Sequence, residues 1–272
     1  MRRFFRAAAT WLEAIIAAFQ FLTRLPLPVR MEYTDVHFRR SVMFYPFVGF
    51  MIGAVLAGSA VVLGQILPPA ITGILAACIW TLITGALHLD GLMDTADGLL
   101  SHRPRERMLE IMKDSRSGPM GVMACVFDLM LKSVALMYLA EHSLTEAWLL
   151  FMLVPVWSRT FMVYAIYKWP YARKEQGMGS LYRSVGWLHA WAARAVALLI
   201  TIAFIWPWTG INAKGLILVL GLMAIAYGVG TLLASAVSRK LHGLTGDVYG
   251  ALNELIELSF LMGIVMYIHN AW

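Results

Sequence analysis

Three carboxylates stand at helical spacing where a long apolar run ends. Residues 41–89 contain no Asp, Glu, Lys or Arg, and Asp90, Asp94 and Asp97 then follow in close succession. At about 100° per residue, the i, i+4, i+7 spacing places all three on one helical stripe roughly 60° wide. Because like charges repel at this spacing, we expect a cation to bind them. Oxygen ligands favour a hard ion, Mg²⁺ or Mn²⁺, over zinc.

A second polar cluster follows in the same segment. Lys113, Asp114 and Arg116 lie together ahead of Gly118 and Gly121, two residues that allow close approach of the backbone. A hard metal beside Lys and Arg suits a polyphosphate, because the metal bridges oxygens while the cations offset developing charge. The segment therefore predicts a phosphate-handling site.

A glycine-rich turn, His242 to Asp247, joins the last two apolar segments. Exposed amides around Thr245 and Gly246 can bind a phosphate, or the turn can place Asp247 on the same metal cluster. Both interpretations stay open at this point.

Several charged side chains fall inside apolar segments, where they are costly and usually face the protein interior. Asp128 and Lys132 are four residues apart and are predicted to form a structural ion pair. Arg159 and Glu257 are predicted to line a polar cavity.

The elements that position these residues are membrane-spanning helices. Hydrophobic residues make up 60% of the chain and charged residues 14%, against about 25% charged residues in soluble domains. Seven segments approach the roughly 20 apolar residues needed to cross a bilayer. The predicted spans are 42–66, 70–89, 120–140, 147–167, 188–206, 214–236 and 250–270. We therefore predict an all-α, polytopic membrane protein.

The distribution of Lys and Arg predicts the orientation. Placing the N-terminus inside puts 18 of the 22 Lys and Arg residues in the inner segments 1–41, 90–119, 168–187 and 237–249. The outer loops 67–69, 141–146 and 207–213 carry none. This positive-inside pattern predicts N-in, C-out, with the acidic stripe facing the cytoplasm. The net charge of +6 reflects this topology and anionic lipid more than nucleic-acid binding, which we do not expect.

The N-terminal segment is predicted to be an amphipathic helix lying on the inner surface. Polar residues such as Glu13 and Gln20 recur at helical spacing, and Leu12, Ile15 and Phe19 fill the other face. No linker or repeat marks a domain boundary. Residues 1–272 are therefore predicted to form one integral-membrane domain, with 1–40 as the amphipathic segment and 90–119 as the active-site segment.

Taken together, the motifs resemble those of the cobalamin synthase (adenosylcobinamide-GDP ribazoletransferase) family. The resemblance runs in order along essentially the whole chain, and its most specific parts are the acidic motif and the Lys–Asp–Ser–Arg motif. The matching stretches are residues 21–28 (FLTRLPLP), 45–49 (YPFVG), 86–98 (ALHLDGLMDTADG), 111–116 (IMKDSR), 118–121 (GPMG), 158–159 (SR), 172–179 and 243–251 (GLTGDVYGA). Ser117 and the turn 242–244 depart from the family pattern.

The resemblance implies a reaction and its cofactor. Adenosylcobinamide-GDP would be joined to α-ribazole or its 5′-phosphate, giving adenosylcobalamin or its 5′-phosphate and releasing GMP, with Mg²⁺ required. The substrates and membrane lipid are the implied partners, in a bacterial cytoplasmic (inner) membrane. A homo-oligomer or an assembly with other cobalamin-biosynthesis enzymes stays open.

Combined with this implied chemistry, the charged motifs give a set of candidate roles. Lys113 and Arg116 would stabilise the leaving GMP phosphate, and either Asp97 or Asp247 would be the general base, a choice left open. The predicted Mg²⁺ ligands are Asp90, Asp94, Asp97 and Asp114. The predicted substrate-binding residues are Arg159, Thr245, Gly246 and Glu257.

Three other functions compete with this one. A CDP-alcohol phosphotransferase is also a metal-dependent membrane enzyme with an Asp–Gly motif, but its motif continues with Ala–Arg, which residues 90–98 lack. A small-molecule transporter would use the intramembrane charges as its path. The carboxylates cluster at the end of a span, however, and the hydropathy shows no inverted repeat. A purely structural membrane protein has no need of aligned carboxylates.

Overall fold

The computed structural model describes residues 2–29, 34–142, 145–173, 184–209 and 212–271. Within these ranges the chain forms α-helices and contains no strand, which confirms the predicted all-α class. In chain order the helices are α1 (Arg2–Leu22), α2 (Asp35–Ser41), α3 (Tyr45–Gly64), α4 (Pro69–Thr84), α5 (Leu87–Leu100), α6 (Arg105–Ile111), α7 (Pro119–His142), α8 (Thr145–Lys168), α9 (Trp187–Thr209), α10 (Ala213–Leu241) and α11 (Gly246–Ala271).

Six stretches of helix are long and apolar enough to cross a bilayer. They are Val36–Gly64, Pro119–His142, Ala147–Lys168, Trp187–Pro207, Gly215–Leu241 and Gly246–Asn270. The helices α4 and α5 are long and apolar enough to cross a bilayer only when they are taken together. The angle of the bend between them is 91°. Counting this pair as one span gives up to seven, in agreement with the expected number of about seven.

The bend between α4 and α5 lies at two residues with left-handed backbone. Gly85 has φ +62° and Ala86 has φ +56°, a region that residues other than glycine rarely adopt. Arg24 packs against Gly85, and its backbone N–H donates to the Ile83 carbonyl at 2.7 Å. The bend turns the acidic helix α5 away from the apolar arm α4. We therefore treat α4 as the membrane-embedded arm, since carboxylates are costly in hydrocarbon.

The helices α5 and α11 pack backbone against backbone. A Cβ built on Gly91 would lie 2.6 Å from the Asp247 carbonyl oxygen, and one built on Gly250 would lie 3.0 Å from the His88 carbonyl oxygen. Small residues at such positions allow membrane helices to approach closely. The amide nitrogen of the Asn253 side chain also lies 3.1 Å from Nδ1 of His88. This packing fixes the acidic helix against the first turn of α11.

The four segments predicted to lie inside meet at one end of the bundle. Arg105 joins three of them, because its Nε donates to the Leu241 carbonyl and its Nη2 to the Ala172 carbonyl, both at 2.8 Å. Arg24 joins the N-terminal segment to the end of α4. Which side of the membrane this end faces stays a prediction.

The N-terminal segment forms the expected helix, α1. Ala14, Ala17, Ala18 and Leu22 are buried. Trp11 and Leu12 on the outer face are 45% and 59% exposed. Phe21 stacks on Tyr45 of α3 with ring centroids 6.0 Å apart, so the helix is docked on the bundle. Its contact with a membrane surface stays a prediction.

We expect Gly91→Ala to destabilise the protein, because a methyl group there meets a backbone carbonyl that cannot move independently of α11. Overpacking of this kind costs about 1–3 kcal/mol, so the midpoint of thermal unfolding in detergent should fall by several degrees. Gly58→Ala is the matched control, since no atom lies within 4 Å of a Cβ at that position of α3. Equal melting temperatures for the two variants would contradict the packing described here.

Candidate functional site

The acidic stripe of α5 does not stand alone, because Asp247 from the first turn of α11 lies beside it. Burial, and after it the negative charges of Asp247, Asp90 and Asp97 in that order of size, together raise the pKa of the half-buried Asp94 to about 7. Arg173 acts in the opposite direction. Asp90 on the same stripe is exposed. Among the residues that the structure describes, four carboxylates thus gather at one end of the bundle, with one guanidinium among them.

Asp247 is positioned by the glycine-rich turn that precedes α11. The backbone at residue 244 pairs with the segment after α8: Ala172 N–H donates to the Leu244 carbonyl at 2.8 Å, and Leu244 N–H to the Pro170 carbonyl at 2.9 Å. Gly243 has φ +143°, and a Cβ there would lie 2.4 Å from the Pro170 carbonyl oxygen. Glycine is therefore required at this position for two independent reasons.

Thr245 is fully buried and acts as the N-terminal cap of α11. Its hydroxyl oxygen accepts from the Val248 N–H at 3.3 Å, and the hydroxyl donates to Oδ2 of Asp247 at 3.2 Å. The capping bond satisfies an amide at the start of the helix. Nothing lies within 4 Å of a Cβ built on Gly246, so the backbone there borders open space. The predicted roles of Thr245 and Gly246 in binding phosphate stay predictions.

Arg173 belongs to the site, although the sequence alone assigned no role to it. Its Nη2 donates to Oδ2 of Asp247 at 2.8 Å and to the Met112 carbonyl at 3.3 Å. It therefore connects the segment after α8 with the segment after α6 and with α11. In the sequence it stands just past a predicted span, where the positive-inside pattern alone explains a cation. Its presence in the family-like stretch 172–179 was the one signal that could have singled it out.

Asp97 binds the N-terminus of α7. Its two carboxylate oxygens accept from the backbone N–H groups of Gly118 and Gly121 at 2.7 and 2.8 Å. A Cβ on either glycine would come within 2.4 Å of this carboxylate. The group that approaches the backbone closely at both glycines is therefore the side chain of Asp97. A carboxylate at a helix N-terminus also interacts favourably with the helix dipole. The metal and base roles of Asp97 stay predictions.

Asp114 and Arg116 bind each other on an exposed turn after α6. Oδ1 of Asp114 accepts from the Arg116 backbone N–H and Nε, and Oδ2 accepts from Nη2 at 2.6 Å. These hydrogen bonds to Arg116 lower the pKa of Asp114 to about 2. Lys113 precedes the pair and is exposed. The roles predicted for all three as metal ligand or phosphate-binding residues stay predictions.

A second charged cluster lies inside the bundle, between α7, α8 and α11. Lys132 is 3.0 Å from Oδ2 of Asp128, which confirms the predicted ion pair, and it also binds Glu254. Arg159 and Glu257 are both fully buried and bind each other. Oε2 of Glu257 lies 3.7 Å from the Lys132 ammonium, joining the two halves. The substrate-binding roles predicted for Arg159 and Glu257 stay predictions.

The acidic end suits a hard cation by its donor chemistry. Within the described ranges, no group of three His, Cys, Asp or Glu side chains could hold a metal ion alone. Mg²⁺ is commonly bound by one or two carboxylates together with substrate phosphates and water, and not by a closed protein cage. Asp90, Asp94 and Asp247 offer carboxylate oxygens of the required kind.

The fold and the site define a multi-pass membrane protein that carries an acidic site with one arginine at one end of its helical bundle. The chain belongs to the cobalamin-5-phosphate synthase family, whose sequence profile matches residues 14–265.

Curated relatives cover nearly the whole chain. An adenosylcobinamide-GDP ribazoletransferase of Desulfitobacterium hafniense is 39% identical over 90% of this chain and 94% of its own length. Proteins of the same name from Brevibacillus brevis and Clostridium novyi are 36% and 33% identical, over 93% and 94% of this chain and 98% of their own lengths. No solved structure matches the chain.

We expect Asp97→Asn to lower thermal stability in EDTA, because the amide keeps one acceptor oxygen and turns an NH₂ group toward the second backbone N–H. Losing a helix cap costs about 0.5–2 kcal/mol. The melting temperature in detergent should therefore fall by roughly 1–8 °C. Asp114→Asn is the control, since an exposed ion pair contributes little to stability and its melting temperature should hardly change. The capping role fails if both variants melt like the parent.

Proposed function

We propose that this chain is an adenosylcobinamide-GDP ribazoletransferase. The observation that carries the proposal is the gathering of Asp94 and Asp247, from helices far apart in sequence, around Arg173. Such a site suits phosphoryl transfer, which needs mainly positioning and charge stabilisation. The names of the three relatives support the same substrate and the same step.

The proposed reaction transfers the cobinamide phosphoryl group to α-ribazole or its 5′-phosphate. A ribose hydroxyl oxygen forms a bond to the cobinamide-side phosphorus, and the bond from that phosphorus to the bridging oxygen breaks. GMP leaves with the bonding electrons, and the hydroxyl proton passes to a carboxylate. The product is adenosylcobalamin or its 5′-phosphate.

We assign the proton acceptor to Asp247 and not to Asp97. The bonds of Asp247 to Arg173 and Thr245 both use Oδ2, which leaves Oδ1 to take a proton. Both oxygens of Asp97 accept backbone N–H groups, and these bonds hold the carboxylate away from a reacting hydroxyl. Lys113 and Arg116 keep their proposed role toward the leaving GMP phosphate, from the exposed turn after α6.

Mg²⁺ is the proposed cofactor, held by Asp90 and Asp94 with Asp97 and Asp114 as further candidate ligands. When bound, it neutralises charge on the diphosphate oxygens. The raised pKa of Asp94 supports this assignment, because burial and the neighbouring carboxylates disfavour the ionised form, which a bound cation would favour. The protein's own contribution is to hold these oxygens on one helical stripe.

We also propose that the site faces the cytoplasm of a bacterial inner membrane. The segments rich in Lys and Arg meet at the same end of the bundle as the acidic site, which supports this orientation. Cytoplasmic access suits substrates that carry nucleotide and phosphate groups.

The test is turnover by detergent-purified protein given adenosylcobinamide-GDP and α-ribazole 5′-phosphate, with Mg²⁺ or with EDTA. GMP and the corrinoid product are read by chromatography and mass. We expect both products with Mg²⁺ only. Asp94→Asn should slow turnover by at least about 100-fold, without a lower melting temperature in EDTA, because it removes a crowded like charge.

Glu110→Gln provides the matched control for Asp94→Asn. Glu110 is an exposed carboxylate of α6 that pairs with Arg107 at 2.7 Å, and its replacement should leave turnover unchanged. The proposal is contradicted if folded parent protein with Mg²⁺ makes no product, or if Asp94→Asn turns over at a near-normal rate.

A further inference from the structure

Arg173 has the chemistry of a diphosphate-binding residue. Resting on the proposed function, we infer that its guanidinium binds the phosphate oxygens of the nucleotide-activated substrate directly. The residue stands at the meeting point of three segments and reaches into the group of four carboxylates.

Arg173 offsets part of the negative charge of the site. Asp94 is surrounded by the negative charges of Asp247, Asp90 and Asp97, and Arg173 is the cation whose charge acts on it in the opposite direction. A substrate diphosphate adds further negative charge to the same end of the bundle. A guanidinium already placed among these carboxylates can oppose that charge.

The hydrogen bonds of Arg173 leave donor capacity for a ligand. The bonds to Asp247 and to the Met112 carbonyl both use Nη2. Nε is buried and has no hydrogen-bond partner within the part of the chain that the structure describes. An unpaired buried donor costs about 1–3 kcal/mol, and a phosphate oxygen would satisfy it. Such a bond would be charge-assisted and would come from a rigid planar group, which the flexible ammonium of a lysine cannot place in the same way.

Two other arginines at this end, Arg105 and Arg116, already bind protein acceptors through both Nε and Nη2. Arg105 donates through Nε and Nη2 to the carbonyls of Leu241 and Ala172. Arg116 binds Asp114 through Nε and Nη2 on an exposed turn. Arg173 thus combines an unsatisfied donor with a place among the carboxylates. Its bond to Asp247 also sets the phosphate-binding group beside the proposed proton acceptor.

The test compares Arg173→Lys and Arg173→Gln with the parent protein, measuring KM for each substrate separately, kcat and the melting temperature. Losing charge-assisted hydrogen bonds should raise the KM for adenosylcobinamide-GDP about 10- to 100-fold in Arg173→Gln. The KM for adenosylcobinamide-GDP should rise less in Arg173→Lys, because lysine keeps the positive charge. It should still rise, because lysine lacks the Nε donor of the guanidinium. The KM for α-ribazole 5′-phosphate should stay within about twofold of the parent value.

The control is Arg107→Gln. Arg107 is an exposed arginine paired with Glu110, and this variant should behave as the parent.

A binding measurement separates this inference from the proposed function. Isothermal titration of the parent with inorganic pyrophosphate should give binding that Arg173→Gln weakens at least about tenfold and Arg173→Lys weakens by a smaller factor, with an unchanged melting temperature. If the parent binds pyrophosphate in this way but makes no corrinoid product, the proposed function fails and the inference stands. Equal pyrophosphate affinity in parent and Arg173→Lys overturns the inference. The inference is also overturned if a variant raises the KM for both substrates and lowers the melting temperature. Arg173 would then only hold the three segments together. Should Arg173→Gln not fold, the Arg173→Lys results decide.

Discussion

The close packing of α5 against α11 is the constraint on which the site depends. Gly91 and Gly250 let the two backbones touch, and this contact places Asp247 beside the stripe of α5. Four carboxylates then share one end of the bundle, although their mutual repulsion opposes that arrangement. A larger residue at Gly91 would separate the helices and move Asp247 away from Asp94. The glycines are therefore as much a part of the site as the carboxylates.

The bundle contains two groups of charges, and they differ in how they are balanced. The inner group sets Asp128, Glu254 and Glu257 against Lys132 and Arg159, and it is buried. A buried charge that lost its partner would be strongly destabilising, so this group favours a single arrangement of α7, α8 and α11. At the acidic end, the described part of the chain sets Arg173 against four carboxylates. That imbalance leaves it able to accept a cation and a substrate with phosphate groups.

The sequence predicted the spans well and the contacts between them poorly. Apolar runs and the pattern of Lys and Arg located the helices to within a few residues, because burial in lipid depends on local composition. The 91° bend was not predicted, since it arises at Ala86, a residue without a preference for left-handed backbone. The second arm of the expected span 70–89 therefore begins a separate helix.

For the candidate site too, relations within one helix could be predicted from the sequence, and contacts between helices could not. The stripe of α5 follows from spacing within a single helix, and the ion pair of Asp128 with Lys132 follows from an i, i+4 relation. The capping of α7 by Asp97 joins residues more than twenty positions apart, and the bond between Arg173 and Asp247 spans more than seventy. Spacing contains no information about such pairs, because they are set by how the helices pack.

A double-mutant cycle between Asp94 and Asp247 tests most directly whether the two helices form one catalytic unit. The measurement is kcat/KM with Mg²⁺ for Asp94→Asn, Asp247→Asn and the double variant, each shown to be folded. Residues that act as a unit have strongly non-additive effects. We predict that the double variant is slower than the slower single variant by no more than about tenfold. Fully multiplicative losses would mean that the two carboxylates act independently, and would contradict a single site built by the contact of α5 with α11.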